Sequence, residues 1–508
     1  MRRQLFACKS IDRLISDSEH PRQRLAKSLG PWSLTALGIG AIIGSGIFVL
    51  TGTAAAGEHF AAPSLLHAQV MDLVVSLVQH GNLSGALLHG RPPAGPAIAV
   101  SFILVAVACS FAGLCYVELA SMIPIAGSAY TYSYATLGEL FAWVIGWDLI
   151  LEYVVGNVAV AVGFAGYFKA QLSSFGLDMP DRWSTPVWAE GQMTGAYFNL
   201  PAFLIIFFLT LLLVRGVRES ASANNIMVVV KIAAIVTFLV VGGMLVNPVN
   251  WHPFAPSGFR GIVTGGAIVF FTYIGFDVVS TAAEESVRPQ RDMPIGIIAS
   301  LVVCAVLYVG VALVLLGMLP YATFASGPAA DAPVAYALKA LGAHPAFLAI
   351  IVIGAMVGMV SCLLVFQYGQ VRIWFSMSRD RLLPGFFSAL HPRFQTPYWS
   401  TWIACAAVGI PAGLFDIGDA ADLTNIGTLF AFVLVSLGVV MLRKRDPARR
   451  RGFRVPFVPL FPLISVVLCL GLMSGLSVIT WIRFFVWLAI GLAIYFGYSR
   501  HRSEFAPK

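Results

Sequence analysis

Gly38-Ile39-Gly40-Ala41-Ile42-Ile43-Gly44-Ser45-Gly46-Ile47-Phe48 lies in the first apolar run long enough to cross a bilayer, and it holds four glycines in nine residues. Glycine costs a helix interior roughly 1 kcal/mol relative to alanine. A segment that only had to span would not be built this way. Gly40 and Gly44 stand four apart and suit close helix packing. Gly44-Ser45-Gly46 suits it badly, because consecutive residues point in different directions. The stretch therefore predicts a spanning helix that breaks at mid-depth. In lipid an unwound backbone persists only where protein, water or ligand satisfies it. Free N–H groups at the start of the second half-helix carry partial positive charge and suit a carboxylate. Free carbonyls at the end of the first half suit an ammonium or another cation.

The rest of the chain fits that setting. Of 508 residues, 58% are hydrophobic and 11% charged, against about 25% charged in soluble domains. The apolar runs are mostly about 20 residues long, the length that crosses ~30 Å of hydrocarbon as a helix, and show no alternating barrel pattern. The spacing predicts an all-α membrane protein with twelve spans, near 34–57, 97–120, 138–168, 199–215, 223–247, 262–287, 294–319, 346–377, 398–414, 422–442, 457–478 and 481–499. With both termini in the cytosol, 25 Lys and Arg fall in cytosolic segments and six in external loops, the asymmetry of a multi-pass protein. The net charge of +8 needs no nucleic acid to explain it. Six of the seven cysteines lie in apolar runs, without metal or disulfide spacing, as small core residues do.

This divides the chain into a cytosolic arm (1–33), a core (34–442), a basic cytosolic loop (443–456), helices 11 and 12 (457–499) and a cytosolic tail (500–508). Residues 58–96 form an external insertion. Its four histidines, at 59, 67, 80 and 89, have no compact metal spacing, and Ser64–Val78 is read as an apolar helix resting on the membrane surface. No metal or cofactor is implied.

The sixth span carries a second interruption, Phe270-Phe271-Thr272-Tyr273-Ile274-Gly275-Phe276-Asp277. Interrupted helices at matching places in two halves point to inverted five-helix repeats, here about 34–247 and 262–442. The two breaks together can hold both ends of an amino-acid zwitterion. Lys231 is the second signal. It sits within Val228-Val229-Val230-Lys231-Ile232-Ala233-Ala234 without an acidic neighbour, and an intramembrane lysine costs ~2.5–3.5 kcal/mol even on the lenient scale. A titratable amine beside a helix break can stand in for a bound cation and couple transport to protons. Glu118, Asp148, Glu152 and Asp277 are further intramembrane acids; each is read either as a proton carrier or as a fixed bond between helices. Phe270, Phe271, Tyr273, Ile274 and Phe366 are candidates to line and limit the pocket.

Enzyme signatures are absent: no GxSxG, phosphate loop, His-Glu-x-x-His or dinucleotide fingerprint occurs. The residues do resemble a known family. Leu37–Phe48 looks like the first-helix signature of the amino acid–polyamine–organocation transporters, and the chain resembles their bacterial cationic amino acid transporter branch. Further matching stretches are Gly127–Tyr132, Gly146–Tyr153, Phe276–Glu285, Pro289–Ile297 and Asp422–Leu429. The resemblance implies a leucine-transporter-like 5+5 fold and secondary transport of amino acids by alternating access. It aligns the substrate-binding backbone with Ile42, Ile43, Gly44, Ser45 and Gly46, with Phe271 and Ile274 across the pocket. It puts Lys231 where a fifth-helix lysine replaces a sodium-site cation, and matches Glu118 to a second-helix acid. The 58–96 stretch is longer than the family pattern, so nothing carries over there. No acid clearly lines the pocket and Phe366 is bulky, which favours small neutral amino acids such as alanine over cationic ones. The expectation is a proton-coupled importer of the bacterial inner membrane, whose partners are the amino acid, the proton and the lipid bilayer. Two alternatives are an obligate exchanger and an amino-acid sensor without net transport. The sensor would call for a larger cytosolic output domain than the chain offers.

Overall fold

The computed structural model describes residues 5–18, 27–59, 65–81, 83, 90–189, 192–415 and 418–505. Long apolar runs became helices. In chain order they are α1 (Ile11–Ser18), α2 (Pro31–Ile42), α3 (Ser45–Ala56), α4 (Val70–His80), α5 (Ile98–Met122), α6 (Ser128–Thr136), α7 (Glu139–Ser174), α8 (Leu200–Arg215) and α9 (Val217–Gly243). They continue with α10 (Gly258–Val269), α11 (Val278–Thr281), α12 (Pro289–Met318), α13 (Pro333–Ala340), α14 (Pro345–Arg379), α15 (Tyr398–Leu414), α16 (Gly418–Arg445), α17 (Leu460–Ser474) and α18 (Val478–Ile494). The only named strands among the described residues are two short hairpin pairs. One joins Glu58–His59 to Gly90–Arg91 and closes the base of the insertion.

The break at the glycines is present. α2 and α3 are bent by 40°, and helical dihedrals are lost at Ile43 and Gly44. The second interruption is also present. α10 tightens into a 3-10 turn over Phe270–Tyr273, turns extended at Ile274, and reaches α11 through Gly275 at φ +124°.

Among the described residues, eight helices are long and apolar enough to cross a bilayer, and the bent α2–α3 pair makes nine. The other three expected spans fall on α8, α15 and α17, of 16, 17 and 15 residues. At 1.5 Å per residue each is about 22–26 Å long, short of a full ~30 Å core. The third and eighth spans are overlong, as expected: α7 has 36 residues and α14 has 35. α14 packs on α7 and α9, α12 on α5 and α2, and α16 on α7 and α17. The two broken segments thus sit in the middle of the bundle. The insertion helix begins at Val70 rather than Ser64; residues 60–64 and the whole of His89 lie outside the described residues. Of the four histidines only His67 has a described side chain, and it is exposed.

Candidate functional site

Opening a helix leaves the last carbonyls of one half and the first N–H groups of the other without partners. Here the carbonyl end is filled from three directions. Lys231 Nζ, from α9, donates to the carbonyl oxygens of Gly40 (2.9 Å) and Ile43 (3.0 Å) and to Ser361 Oγ (3.2 Å). Cys362 Sγ, from α14, lies 3.0 Å from the Ala41 carbonyl oxygen. The Tyr308 hydroxyl, from α12, lies 2.7 Å from the Ile42 carbonyl oxygen and 2.8 Å from that of Thr272 in the second break. Its one proton serves either carbonyl, so Tyr308 ties the two breaks together. Behind Lys231, Ser361 Oγ donates to Asn224 Oδ1 (2.8 Å), whose amide nitrogen donates to the Ala36 carbonyl (3.0 Å). A small cavity lined by Leu29, Leu37, Ala221, Asn224, Leu364, Val365 and Tyr368 adjoins this polar chain at Asn224. No described acid lies within ion-pair distance of Lys231, which is fully buried.

The N–H end differs. Ser45, Gly46 and Ile47 begin α3, and no described acceptor meets their backbone N–H groups. Ser45 Oγ is buried and also unpartnered among the described residues. Donors therefore converge at Ser45–Ile47 beside carbonyls already held by Lys231, Cys362 and Tyr308.

The glycines serve packing as well as the break. A Cβ on Gly44 would stand 2.7 Å from Cys362 Sγ, and one on Gly46 would stand 2.6 Å from Thr272 Cγ2. One on Gly275 would stand 2.9 Å from the Ala41 carbonyl carbon. The close-packing reading of Gly40 and Gly44 and the helix-break reading are thus both true of the same stretch.

At the second break Asp277 Oδ1 accepts from the Gly275 N–H (3.2 Å) and Oδ2 accepts from the Tyr153 hydroxyl of α7 (2.9 Å). The Tyr153 ring meets Phe366 at 5.4 Å. Asn425 of α16 donates to the Ala267 carbonyl at 2.9 Å. Phe271 and Ile274 are buried at the turn itself. Phe270 and Tyr273 point into ordinary packing: Phe270 meets Phe432 at 5.9 Å, and Tyr273 meets Tyr308 at 5.1 Å and donates to the Phe102 carbonyl. Asp148 and Glu152 share a face of α7, fully buried and without a hydrogen-bond partner among the described residues.

The structure therefore brings together Ile42, Ile43, Gly44, Ser45, Gly46, Lys231, Phe271, Ile274 and Asp277. Glu118 does not join them. At the end of α5 it accepts from Arg443 Nε (2.9 Å) and Nη2 (2.6 Å), Arg451 Nε (3.0 Å) and the Val455 N–H (2.7 Å). It shares no partner with Lys231, and its four donors join α5 to Arg443 of α16 and to the loop that follows it. Asn224, Tyr308, Ser361, Cys362 and Tyr153 were not singled out by sequence. Each is a common core residue in an apolar run, and only the polarity of Asn224 and Tyr308 within a span hinted at them.

The amino acid permease family profile matches residues 29–496. The chain is 46% identical to the methylthioribose transporter of Bacillus subtilis (strain 168), over 98% of each chain. It is 44% identical to a branched-chain amino acid permease of the same organism, over 99% of each. It is 34% identical to the chloroplastic cationic amino acid transporter 9 of Arabidopsis thaliana, over 84% of this chain and 68% of that one.

Proposed function

Since the chain belongs to the amino acid permease family, and is therefore a multi-pass membrane transporter rather than an enzyme, we propose that it imports small neutral L-amino acids with protons. The observation that carries this reading is the polarised first break: unpaired N–H groups of Ser45, Gly46 and Ile47 on one side, and carbonyls capped by a buried lysine on the other. The substrate carboxylate takes the N–H groups and Ser45 Oγ. Its ammonium faces the carbonyl ends near Ile42, Phe271 and Ile274. Its side chain meets Phe366 and other uncharged groups, since Asp277 is already engaged by Gly275 and Tyr153. The name of the branched-chain relative is consistent with a neutral side chain. Lys231 takes and releases the coupling proton, reached through Asn224 and Ser361.

We read the core as twelve spans, with α8, α15 and α17 counted, arranged as two inverted five-helix repeats plus two helices. The cross-bracing supports that symmetry. A fifth-span residue, Lys231, serves the first break and a tenth-span residue, Asn425, serves the second. An eighth-span residue, Cys362, serves the first break and a third-span residue, Tyr153, serves the second. On this reading the termini are cytosolic, the 58–96 insertion is external and the protein sits in a bacterial inner membrane. The test is a competition panel of amino acids in proteoliposomes, with and without an imposed proton gradient. Small neutral amino acids should compete best and the gradient should drive uptake. Failure of every amino acid to compete overturns the reading. Uptake only into liposomes preloaded with amino acid would make the protein an obligate exchanger.

A further inference from the structure

Helix α4 wears its polarity inside out. Gln69, Asp72 and Ser76, spaced to share one helical face, point into the protein and are 1%, 7% and 3% exposed. Asp72 pairs with Arg260 at 2.7 Å, and Thr264 Oγ1 donates to Gln69 Oε1 at 3.0 Å. The opposite face carries Val74, Leu77 and Val78, with Val75 at its margin. All four are exposed, Val78 at 80%. Leu65 and Leu66, just before the helix, are exposed as well. A surface helix facing water is built the other way round, apolar stripe inward.

The anchoring of α4 says what covers the outer face. The Val70 N–H donates to the Leu476 carbonyl (3.2 Å), and the N–H groups of Val478 and Ile479 donate to the carbonyls of Ala68 (3.0 Å) and Leu66 (2.8 Å). The segment is thereby sewn to the turn between α17 and α18, where a membrane-crossing helix ends. The flank of α18 just beyond, with Ile482, Phe485 and Val486, is exposed and apolar, as a lipid-facing surface is. The outer face of α4 continues that surface.

We propose that α4 lies in the plane of the membrane, with Val74, Leu77 and Val78 seated in the hydrocarbon boundary of the leaflet opposite the N-terminal arm. Interfacial helices of this kind bury an apolar face by a few ångströms below the headgroups. The described side chains of α4 include no Lys or Arg, so its seating rests on apolar contact and not on anionic lipid. The inward polar face then pins the insertion to α10 through Arg260 and Thr264.

The test uses the full chain with Cys8→Ser, since Cys8 is the one cysteine that is not buried. A nitroxide is attached at Val78→Cys, at Val74→Cys or, as a water-facing reference, at Asp178→Cys, in nanodiscs of purely zwitterionic lipid. At positions 78 and 74, collisions with oxygen should exceed those with a water-soluble nickel chelate severalfold, with the reverse at position 178. Replacing part of the lipid by an anionic one should leave the ratios unchanged. Equal ratios at 78 and 178 would overturn the proposal. So would low collision with both reagents accompanied by spin–spin broadening between copies, which would make the face a protein–protein contact. The two labelled positions on one face guard against a single misfolded variant.

Discussion

Tyr308 has one proton for two carbonyls, Ile42 in the first break and Thr272 in the second. Tyr308→Phe removes the hydroxyl that bridges the two broken segments and leaves buried acceptors short of a partner. A buried hydrogen bond of this kind is worth about 0.5–1.5 kcal/mol net. Initial uptake rates in proteoliposomes should fall by up to about tenfold, the equivalent of ~1.4 kcal/mol, while the optimum pH stays put. Lys231→Ala should behave differently. It should abolish the dependence of uptake on an imposed proton gradient, and an unchanged response would refute the coupling role. It also strips the Gly40 and Ile43 carbonyls of their donor, at about 1–3 kcal/mol for a group left unsatisfied, so the melting temperature should drop too. Lys231 was legible in the sequence because a buried cation is costly in any apolar run. Its partners were not, because backbone carbonyls leave no mark in a sequence. Ser361 and Cys362 look like any small core residues until the helix they serve is seen to be open.

At the level of elements, the first break was legible and the second only in part. Gly44-Ser45-Gly46 cannot all face one neighbour, so unwinding followed from residue order alone. The 3-10 turn of Phe270–Tyr273 has no such signature, and its aromatics turned out to divide between the turn and ordinary packing. Contacts at the glycines rank their alanine variants. On Gly44 the new Cβ meets Cys362 Sγ, a small side chain that can be removed. On Gly275 it meets the Ala41 backbone at a φ of +124° that L-residues rarely adopt. Overpacking costs typically ~1–3 kcal/mol, and backbone strain adds to it at Gly275. Thermal melting should therefore show Gly275→Ala the more damaged of the two, and Cys362→Ala should recover part of the loss in Gly44→Ala but none in Gly275→Ala. Equal recovery in both backgrounds would mean that the steric account of Gly44 is wrong. The short helices α8, α15 and α17 mark the limit of sequence reading in the other direction. Their apolar runs were plain, but length alone does not make them spans.

Across the whole molecule, most of the described ion pairs are joints on the arm side, and these joints bear on where the proposed proton sensitivity would reside. Glu285 pairs with Arg372 at 2.8 Å, Glu284 with Arg379 at 2.9 Å, and Glu118 with Arg443 and Arg451. The basic residues that set the net charge in sequence are thus also structural, which a charge tally does not reveal because the partners are 87 to 333 positions apart. Removing one partner of such a buried pair costs about 3–5 kcal/mol. Glu118→Ala should therefore melt well below the parent yet keep the same pH profile of uptake. The arm is joined the same way. Lys9 Nζ meets Asp380 at 2.7 Å and Glu504 at 3.0 Å, and Asp12 meets Arg449 at 2.6 Å. Burial alone would lower the Lys9 pKa, but Asp380 and Glu504 outweigh it and leave it above the usual 10.5. Its contribution is complete below that value and is lost only as pH rises through the raised one. The hydrogen bond and charge of Arg449 hold Asp12 below the usual 3.8. That contribution is present above 3.8 and is lost as pH falls through the lowered value. Between about pH 5 and 9 neither group titrates, so these two joints contribute a constant to stability over that range. Lys9→Met should lower the melting temperature by the same amount at each pH in that range and leave the shape of the uptake profile untouched. A profile altered by Lys9→Met, with Lys231 intact, would place part of the proton sensitivity in the arm rather than in the bundle.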